Sequence, residues 1–263
     1  MIVDGAHIAK QLLQQLKEQL AGSSPLRLKT FACEPNFETK KFIAIKQRAA
    51  AEVGIGLELV AFGVEQGQFD MLHAVQEAVM SSHGVMVQLP FPARISVDTI
   101  LSAIPPSHDV DALMYDGTDE AVLPPVVGAI KEIARVHSID FKDKQVTVVG
   151  NGRLVGSPSA VWARQQGAAV SMVTKHHPNP AAIKEADIVI LGAGTPALIK
   201  PKDLKEGVVV FDAGTSESAG SLAGDADPAV ADVASLFTPV PGGIGPVAVV
   251  VLLRNLVQLA SRQ

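Results

Sequence analysis

Twice along this chain, short apolar runs alternate with segments of helical periodicity, and few folds besides a layered α/β one satisfy that pattern. In the first stretch, Asp4 is placed to cap a helix over residues 6–20, where Ile8, Leu12, Leu13, Leu16 and Leu20 recur at helical spacing before Gly22. Strands are expected at 26–33, 57–63 and 84–90, with helices at 39–53, 69–80 and 97–104, the last stopped by Pro105-Pro106. Residues 107–125 lack periodicity and are rich in acids, which predicts a linker that carries functional residues. The second stretch opens with a helix over 124–134. Strands at 145–149, 169–173, 188–191 and 208–211 and a helix at 157–166 follow, and a final helix begins after Pro246. Strands spaced in this way predict a doubly wound parallel sheet.

Composition narrows the class. Of 263 residues, 48% are hydrophobic and 19% charged, enough to build a core. The net charge of −5 leaves no basic excess for phosphate neutralisation, so nucleic acid is not an expected partner. A single cysteine excludes a disulfide framework and a cysteine zinc site, and the 7 histidines show no ligand spacing, so no metal is expected. The N-terminus lacks the basic and apolar regions of a signal peptide. The longest apolar run, near the C-terminus, is broken by Arg254 and Asn255 and falls short of the roughly 20 residues of a membrane span. No membrane partner and a cytoplasmic location are the expectations.

The segment from Val146 through Pro158 reads as a buried strand, a glycine turn and a helix start. Gly150, Asn151, Gly152, Arg153, Leu154 and Gly156 are the candidate cofactor-binding residues of that turn. Glycines there allow a backbone to approach a pyrophosphate, and the helix N-terminus offers free N–H groups. A tight strand-to-helix connection would use glycines too. The next strand ends at Thr174, Lys175 and His176, without the acid that commonly binds ribose hydroxyls in NAD proteins. Basic and hydroxyl groups there suit a 2′-phosphate, so NADP is favoured, with NAD possible; a solvated basic loop is the alternative.

Four segments in one order then point to a family. Val87-Gln88-Leu89-Pro90-Phe91-Pro92 resembles the V-Q-L-P-L-P segment of the bifunctional methylenetetrahydrofolate dehydrogenase/methenyltetrahydrofolate cyclohydrolase family. The run from Ala103 to Asp111 is similar to its A-I-x-P-x-K-D-V-D segment, and Leu154-Val155-Gly156-Ser157-Pro158 to its I-V-G-x-P turn. Residues 238–246 nearly reproduce its T-P-V-P-G-G-V-G-P signature. The resemblance implies an N-terminal α/β catalytic domain, residues 1–118 with 247–263, and a Rossmann-type doubly wound domain, 119–246, with a cleft between them. It also implies a homodimer acting on tetrahydrofolate derivatives with NADP or NAD in one-carbon metabolism and purine biosynthesis. The expected reaction oxidises 5,10-methylenetetrahydrofolate and hydrolyses the methenyl product to 10-formyltetrahydrofolate.

The family's Y-x-x-x-K motif falls on Phe42-Ile43-Ala44-Ile45-Lys46, with phenylalanine in the tyrosine position. Lys46 and Phe42 are one helical turn apart, on one face. A lysine amine carries protons when its surroundings favour the neutral form. Gln88, at a strand end, can hold that amine, and Asp111 can accept hydrogen bonds from the amino-pyrimidine edge of a pterin. The resemblance gives Lys46, Gln88 and Asp111 these catalytic roles. Without it they would read as a solvated lysine, a strand-end amide and a loop acid, and Asp109 competes with Asp111 for the pterin. Phe42, Pro90, Pro241, Gly242 and Gly243 are the candidate substrate-binding residues. Pro239 and Pro241, with three glycines and a further proline at 246, suit a close backbone approach to a ligand, or a rigid connection.

Three departures set alternatives. Phe42 keeps a stacking ring but loses a hydroxyl, which predicts weaker hydrolysis. The turn lacks the family's G-R-S arginine, so Arg153 or Lys175 would have to serve. The segments 34–39 and 123–128 match poorly. A monofunctional dehydrogenase and a catalytically impaired folate- or nucleotide-binding relative are the competing readings.

Overall fold

The computed structural model describes residues 1–118, 121–218 and 221–263. Positions 119 and 120, in the expected linker and at the expected domain start, and 219 and 220, within the expected second domain, lie outside the described residues. Contacts divide the chain into two compact α/β units, Lys10–Pro125 with Val249–Gln263, and Met1–Ala9 with Val126–Ala248. The expected boundaries differ from this division at the N-terminus, where Met1–Ala9 join the second unit, and by a few residues at the other two borders, which fall after Pro125 and Ala248. Val3 N donates to Phe237 O and Phe237 N to Met1 O, each at 2.9 Å, so the first residues pair as a strand within the second unit.

The first unit holds most of α1 (Gly5–Gln19), whose Ile8, Leu12 and Leu16 are buried and whose first turn is capped by Asp4, Oδ1 accepting from His7 N at 2.9 Å. Its parallel sheet has β1 (Arg27–Cys33) in the centre, flanked by β2 (Gly56–Phe62) and β3 (Gly84–Gln88). The central strand is buried almost throughout, as a strand covered on both faces must be. Helix α2 (Phe37–Glu52) starts two residues earlier than its periodicity predicts, because Asn36 Oδ1 accepts from Thr39 N at 2.8 Å and caps it. Helices α3 (Gln68–Ser81) and α4 (Val97–Ser102) bury Met71, Val75 and Ile100 against Phe31, Phe62 and Val87.

The segment expected as a linker is pinned to this sheet. Val85 N donates to His108 O at 2.8 Å, and Val110 N to Val85 O at 3.4 Å, so Asp109 forms a parallel bridge to β3. The last helix, Ile244–Ala260, secures it: Asn255 Nδ2 donates to Val110 O at 2.9 Å and Leu123 O at 2.8 Å. Gly84 lets these elements close up, since a Cβ would lie 2.6 Å from Leu256 Cδ1 and 2.7 Å from Val110 Cγ1 and would force those side chains to shift. That helix starts before Pro246 rather than after it. A proline within the first turn loses an N–H that has no helical partner.

After residues 1–9, the second unit continues from Val126 in α5 (Pro125–Val136), followed by β4 (Gln145–Val149), α6 (Gly156–Gln165), β5 (Ala169–Val173), α7 (Pro180–Glu185), β6 (Ile188–Leu191) and β7 (Val209–Asp212). A two-stranded antiparallel pair, β8 (Ser216–Ser218) and β9 (Ser221–Ala223), then precedes β10 (Leu236–Thr238). The five-stranded parallel sheet runs β10-β7-β6-β4-β5. The chain moves outward from β4 to β5 and then returns to place β6 on the other side of β4. That reversal leaves a crevice at the C-terminal strand ends, where such sheets bind ligands.

Candidate functional site

The crevice is real and is built by glycine packing. Gly150, at φ +102°, stands so close to the β6 exit that a Cβ would lie 2.4 Å from Gly192 O. A Cβ on Gly156 would lie 2.2 Å from Gly150 O. These two glycines therefore let α6 start hard against the ends of β4 and β6. Gly152 has no neighbour to avoid, so its missing side chain only leaves open space in front of the helix. The cavity has a volume of about 860 Å³, within the size range of a cofactor site.

Of the expected cofactor residues, Gly150, Asn151, Gly152, Thr174, Lys175 and His176 line this cavity. Arg153 and Leu154 are exposed and do not line it, while Gly156 serves from behind as a packing glycine. The sequence did not single out Ala193 and Thr195, in the turn after β6, or Lys202, which also line it. The chain presents three lysines there, Lys175, Lys184 and Lys202, together with backbone at a helix start, and these fit the charge and size of a phosphorylated dinucleotide. Below the cavity wall, Asp212 is buried and pushed up to about 6, chiefly by loss of water, with backbone N–H groups pulling the other way.

In the first unit the structure brings Lys46, Gln88 and Asp111 together. Lys46 Nζ donates to Gln88 Oε1 at 3.0 Å and also meets Met86 Sδ at 3.3 Å. The other side of the Gln88 amide is committed, its Nε2 donating to Leu89 O at 3.2 Å, so Oε1 is turned to the lysine. Asp111 lies two residues past the bridge between β3 and Asp109. Loss of water raises its carboxyl above the ordinary range, and the Lys46 ammonium pulls it back, so the two groups share one field. Asp109 is in a different situation: it is buried, its Oδ2 accepts from Leu113 N at 3.1 Å, and it is pushed up to about 7 by burial first and the Asp111 charge second. Met86 was not visible as a site residue, since a methionine inside a buried strand reads as core.

Phe42 sits one turn before Lys46 on α2 with 42% of its surface exposed, free of the core that would otherwise explain a phenylalanine. Pro90 is exposed and follows a cis peptide bond from Leu89. Pro241, Gly242 and Gly243 belong to the other unit. Gly242 takes φ +104° and its carbonyl accepts from Gly5 N at 2.9 Å, and a Cβ on Gly243 would strike Pro239 O at 2.6 Å. Their glycine requirement is thus met by packing within that unit.

A parallel sheet that keeps its strand ends open for a dinucleotide, in a chain whose other unit sets a helical lysine against the amide at the end of β3 and near a carboxylate, places the molecule among the dinucleotide-dependent enzymes with acid–base chemistry. Comparison with known proteins narrows that class. Residues 3–111 match the family model described as tetrahydrofolate dehydrogenase/cyclohydrolase, catalytic domain, and residues 124–263 match its NAD(P)-binding domain. The chain belongs to the tetrahydrofolate dehydrogenase/cyclohydrolase family. It is 33% identical to the bifunctional protein FolD of Mycoplasmopsis synoviae, over 98% of this chain and 99% of that one. It is 34% identical to that of Geobacillus thermodenitrificans, over 100% and 97%. The crystal structure of the bifunctional FolD enzyme of Campylobacter jejuni superposes with a TM-score of 0.93 at 28% identity, covering 100% of this chain and 99% of the other. The Trypanosoma brucei enzyme, solved with NADP and an inhibitor, gives 0.92 at 29% identity, over 100% and 97%. No helix among the described residues is long and apolar enough to cross a membrane.

Proposed function

We propose that this chain oxidises 5,10-methylenetetrahydrofolate to the methenyl form with hydride transfer to NADP, and then hydrolyses the methenyl cation to 10-formyltetrahydrofolate. The observation that carries the reading is the lysine of the motif found where chemistry needs it, 3.0 Å from Gln88 Oε1 and within the field of Asp111. Bound NADP supplies the hydride acceptor. Gly150, Asn151 and Gly152 hold its phosphates, and Thr174, Lys175 and His176 receive the 2′-phosphate. Asp111 accepts from the amino-pyrimidine edge of the pterin, and Pro90 and Phe42 pack against its rings, with Pro241, Gly242 and Gly243 contributing backbone. In the hydrolytic step, water adds to the methenyl carbon and loses a proton by way of Lys46 Nζ, which Gln88 keeps in place; the hydroxyl proton of the adduct then passes to N5 as the carbon–N5 bond breaks, leaving the formyl group on N10. The unit built on β1–β3 is the folate domain and the five-stranded unit the nucleotide domain. The chain acts in the cytoplasm as a homodimer, within one-carbon metabolism.

Lys46→Met tests the reading. It keeps the length and apolar stem of the side chain and deletes the amine. Absorbance of the methenyl product, followed with methylenetetrahydrofolate and NADP, should show loss of onward hydrolysis while NADP binding persists. Hydrolysis near the wild-type rate would refute the role of Lys46.

A further inference from the structure

Under the turn that follows β6 lies a carboxylate to which the motifs assign no task. Asp225 is 0% exposed, and it is held by three successive backbone N–H groups. Its Oδ2 accepts from Ala193 N at 2.6 Å and Gly194 N at 3.1 Å, and its Oδ1 from Thr195 N at 2.7 Å. Consecutive N–H groups converging on one anion form a nest; here the anion is part of the chain. A second buried acid fixes the first. Asp212, at the end of β7, accepts from Asp225 N at 3.1 Å and from Ala226 N at 2.8 Å, which anchors the backbone from which Asp225 projects. Two glycines make room for the pair. A Cβ on Gly214 would lie 2.3 Å from Asp225 Oδ1, and one on Gly224 would lie 2.2 Å from Asp212 Oδ2.

Burying two carboxylates side by side is costly, and a neutral turn would be cheaper if packing were its only purpose. What the arrangement fixes is the 193–195 turn, and Ala193 and Thr195 line the 860 Å³ cavity. We propose that Asp225 is a positioning residue for the dinucleotide: its carboxylate sets the cavity wall formed by residues 193–195, and Asp212 sets Asp225. This rests on the reading of that cavity as the NADP site.

Asp225→Asn keeps the shape but replaces one acceptor oxygen with an amide nitrogen that faces N–H groups. The KM and Kd for NADP should rise about tenfold or more, the effect of one lost charge-assisted bond, while the folate KM stays nearly constant. Gly214→Ala should do the same with no change of charge, by displacing the Asp225 carboxylate. An unchanged NADP affinity in a folded Asp225→Asn protein overturns the proposal, as does an equal rise in both KM values. Lys175→Glu separates the two readings. If it weakens NADP and Asp225→Asn does not, the positioning role is wrong; if neither weakens NADP, the cavity assignment is wrong and this proposal falls with it. Should neither Asp225→Asn nor Gly214→Ala fold, amide hydrogen exchange in the wild-type protein decides. Strong protection at Ala193, Gly194 and Thr195 supports the carboxylate nest, and exchange at the unprotected rate overturns it.

Discussion

Replacing Asp109 with asparagine should change how stability depends on pH. Asp109 is 9% exposed and its carboxyl is pushed from 3.8 to about 7, by burial first and by the Asp111 charge second, with three backbone N–H groups pulling it down. In the native state it therefore keeps a proton over a range in which the unfolded chain has released it. The native form binds more protons than the unfolded form between about pH 4 and pH 7, so this group's contribution to stability falls as pH rises through that window. The displacement of about three units, at about 1.4 kcal/mol each, sets the full change at no more than about 4 kcal/mol. Asparagine stays neutral at every pH and can still accept from Leu113 N, so its stability curve lacks this component. Urea unfolding of both proteins at pH 5 and pH 8 measures it. The wild type should lose stability relative to Asp109→Asn by a few kcal/mol between those values, without a change in denaturant slope. Parallel pH profiles for the two proteins would refute the reasoning and mean that Asp109 ionises as easily in the fold as outside it.

Three other outcomes follow from the same geometry. Phe42→Tyr should raise methenyl hydrolysis more than oxidation, by part of the roughly 10²–10⁴-fold that acid–base assistance brings; an unchanged ratio of the two rates, read by absorbance, would show that the hydroxyl is not limiting. Gln88→Leu removes the oxygen 3.0 Å from Lys46 Nζ. With bonds to charged groups worth about 1.5–3 kcal/mol, hydrolysis should fall about 10- to 150-fold, and a near-normal rate would mean that Met86 alone holds the amine. Asp111→Ala should weaken folate binding by about 1–3 kcal/mol, since it leaves ring donors without an acceptor; equal affinities in calorimetric titration would reject its pterin role.

How far the sequence disclosed this protein depended on whether a residue acts through its own pattern or through a distant partner. Apolar runs such as Val146-Thr147-Val148-Val149 and Ile188-Val189-Ile190-Leu191 announce strands because their burial is continuous, and both lie where the pattern puts them. Short elements escaped. Helix α7 has only six residues and a single buried side chain, Ile183, too little for a periodicity, and β10 has three residues between turns. The pairing of residues 1–3 with Phe237 spans nearly the whole chain and has no local signal. Motif matches singled out Lys46, Gln88 and Asp111, and the fold adds the 3.0 Å between Lys46 Nζ and Gln88 Oε1 and the Lys46 charge near Asp111. Asp225 was not singled out, because its task is to accept from N–H groups some thirty residues earlier. The only sign was an acid on each side of a short hairpin, Asp212 after an apolar strand and Asp225 after a glycine.

The pinning of residues 107–125 by Asn255 has a consequence for the order in which the molecule is made. Chains leave the ribosome N-terminal end first, and domains tend to fold as they emerge. Here the three-stranded sheet emerges early, yet the carbonyls of Val110 and Leu123 wait for an amide 145 and 132 residues later. Gly84 and Val110 wait likewise for Leu256. Until then the backbone next to Asp111 has no partner from the last helix. The nascent chain thus passes through a stage in which all strands of the five-stranded sheet have been made before the backbone beside Asp111 is fastened in place. Residues 1–248 contain every strand of the five-stranded sheet, whereas the backbone beside Asp111 is fastened only once Asn255 has been made.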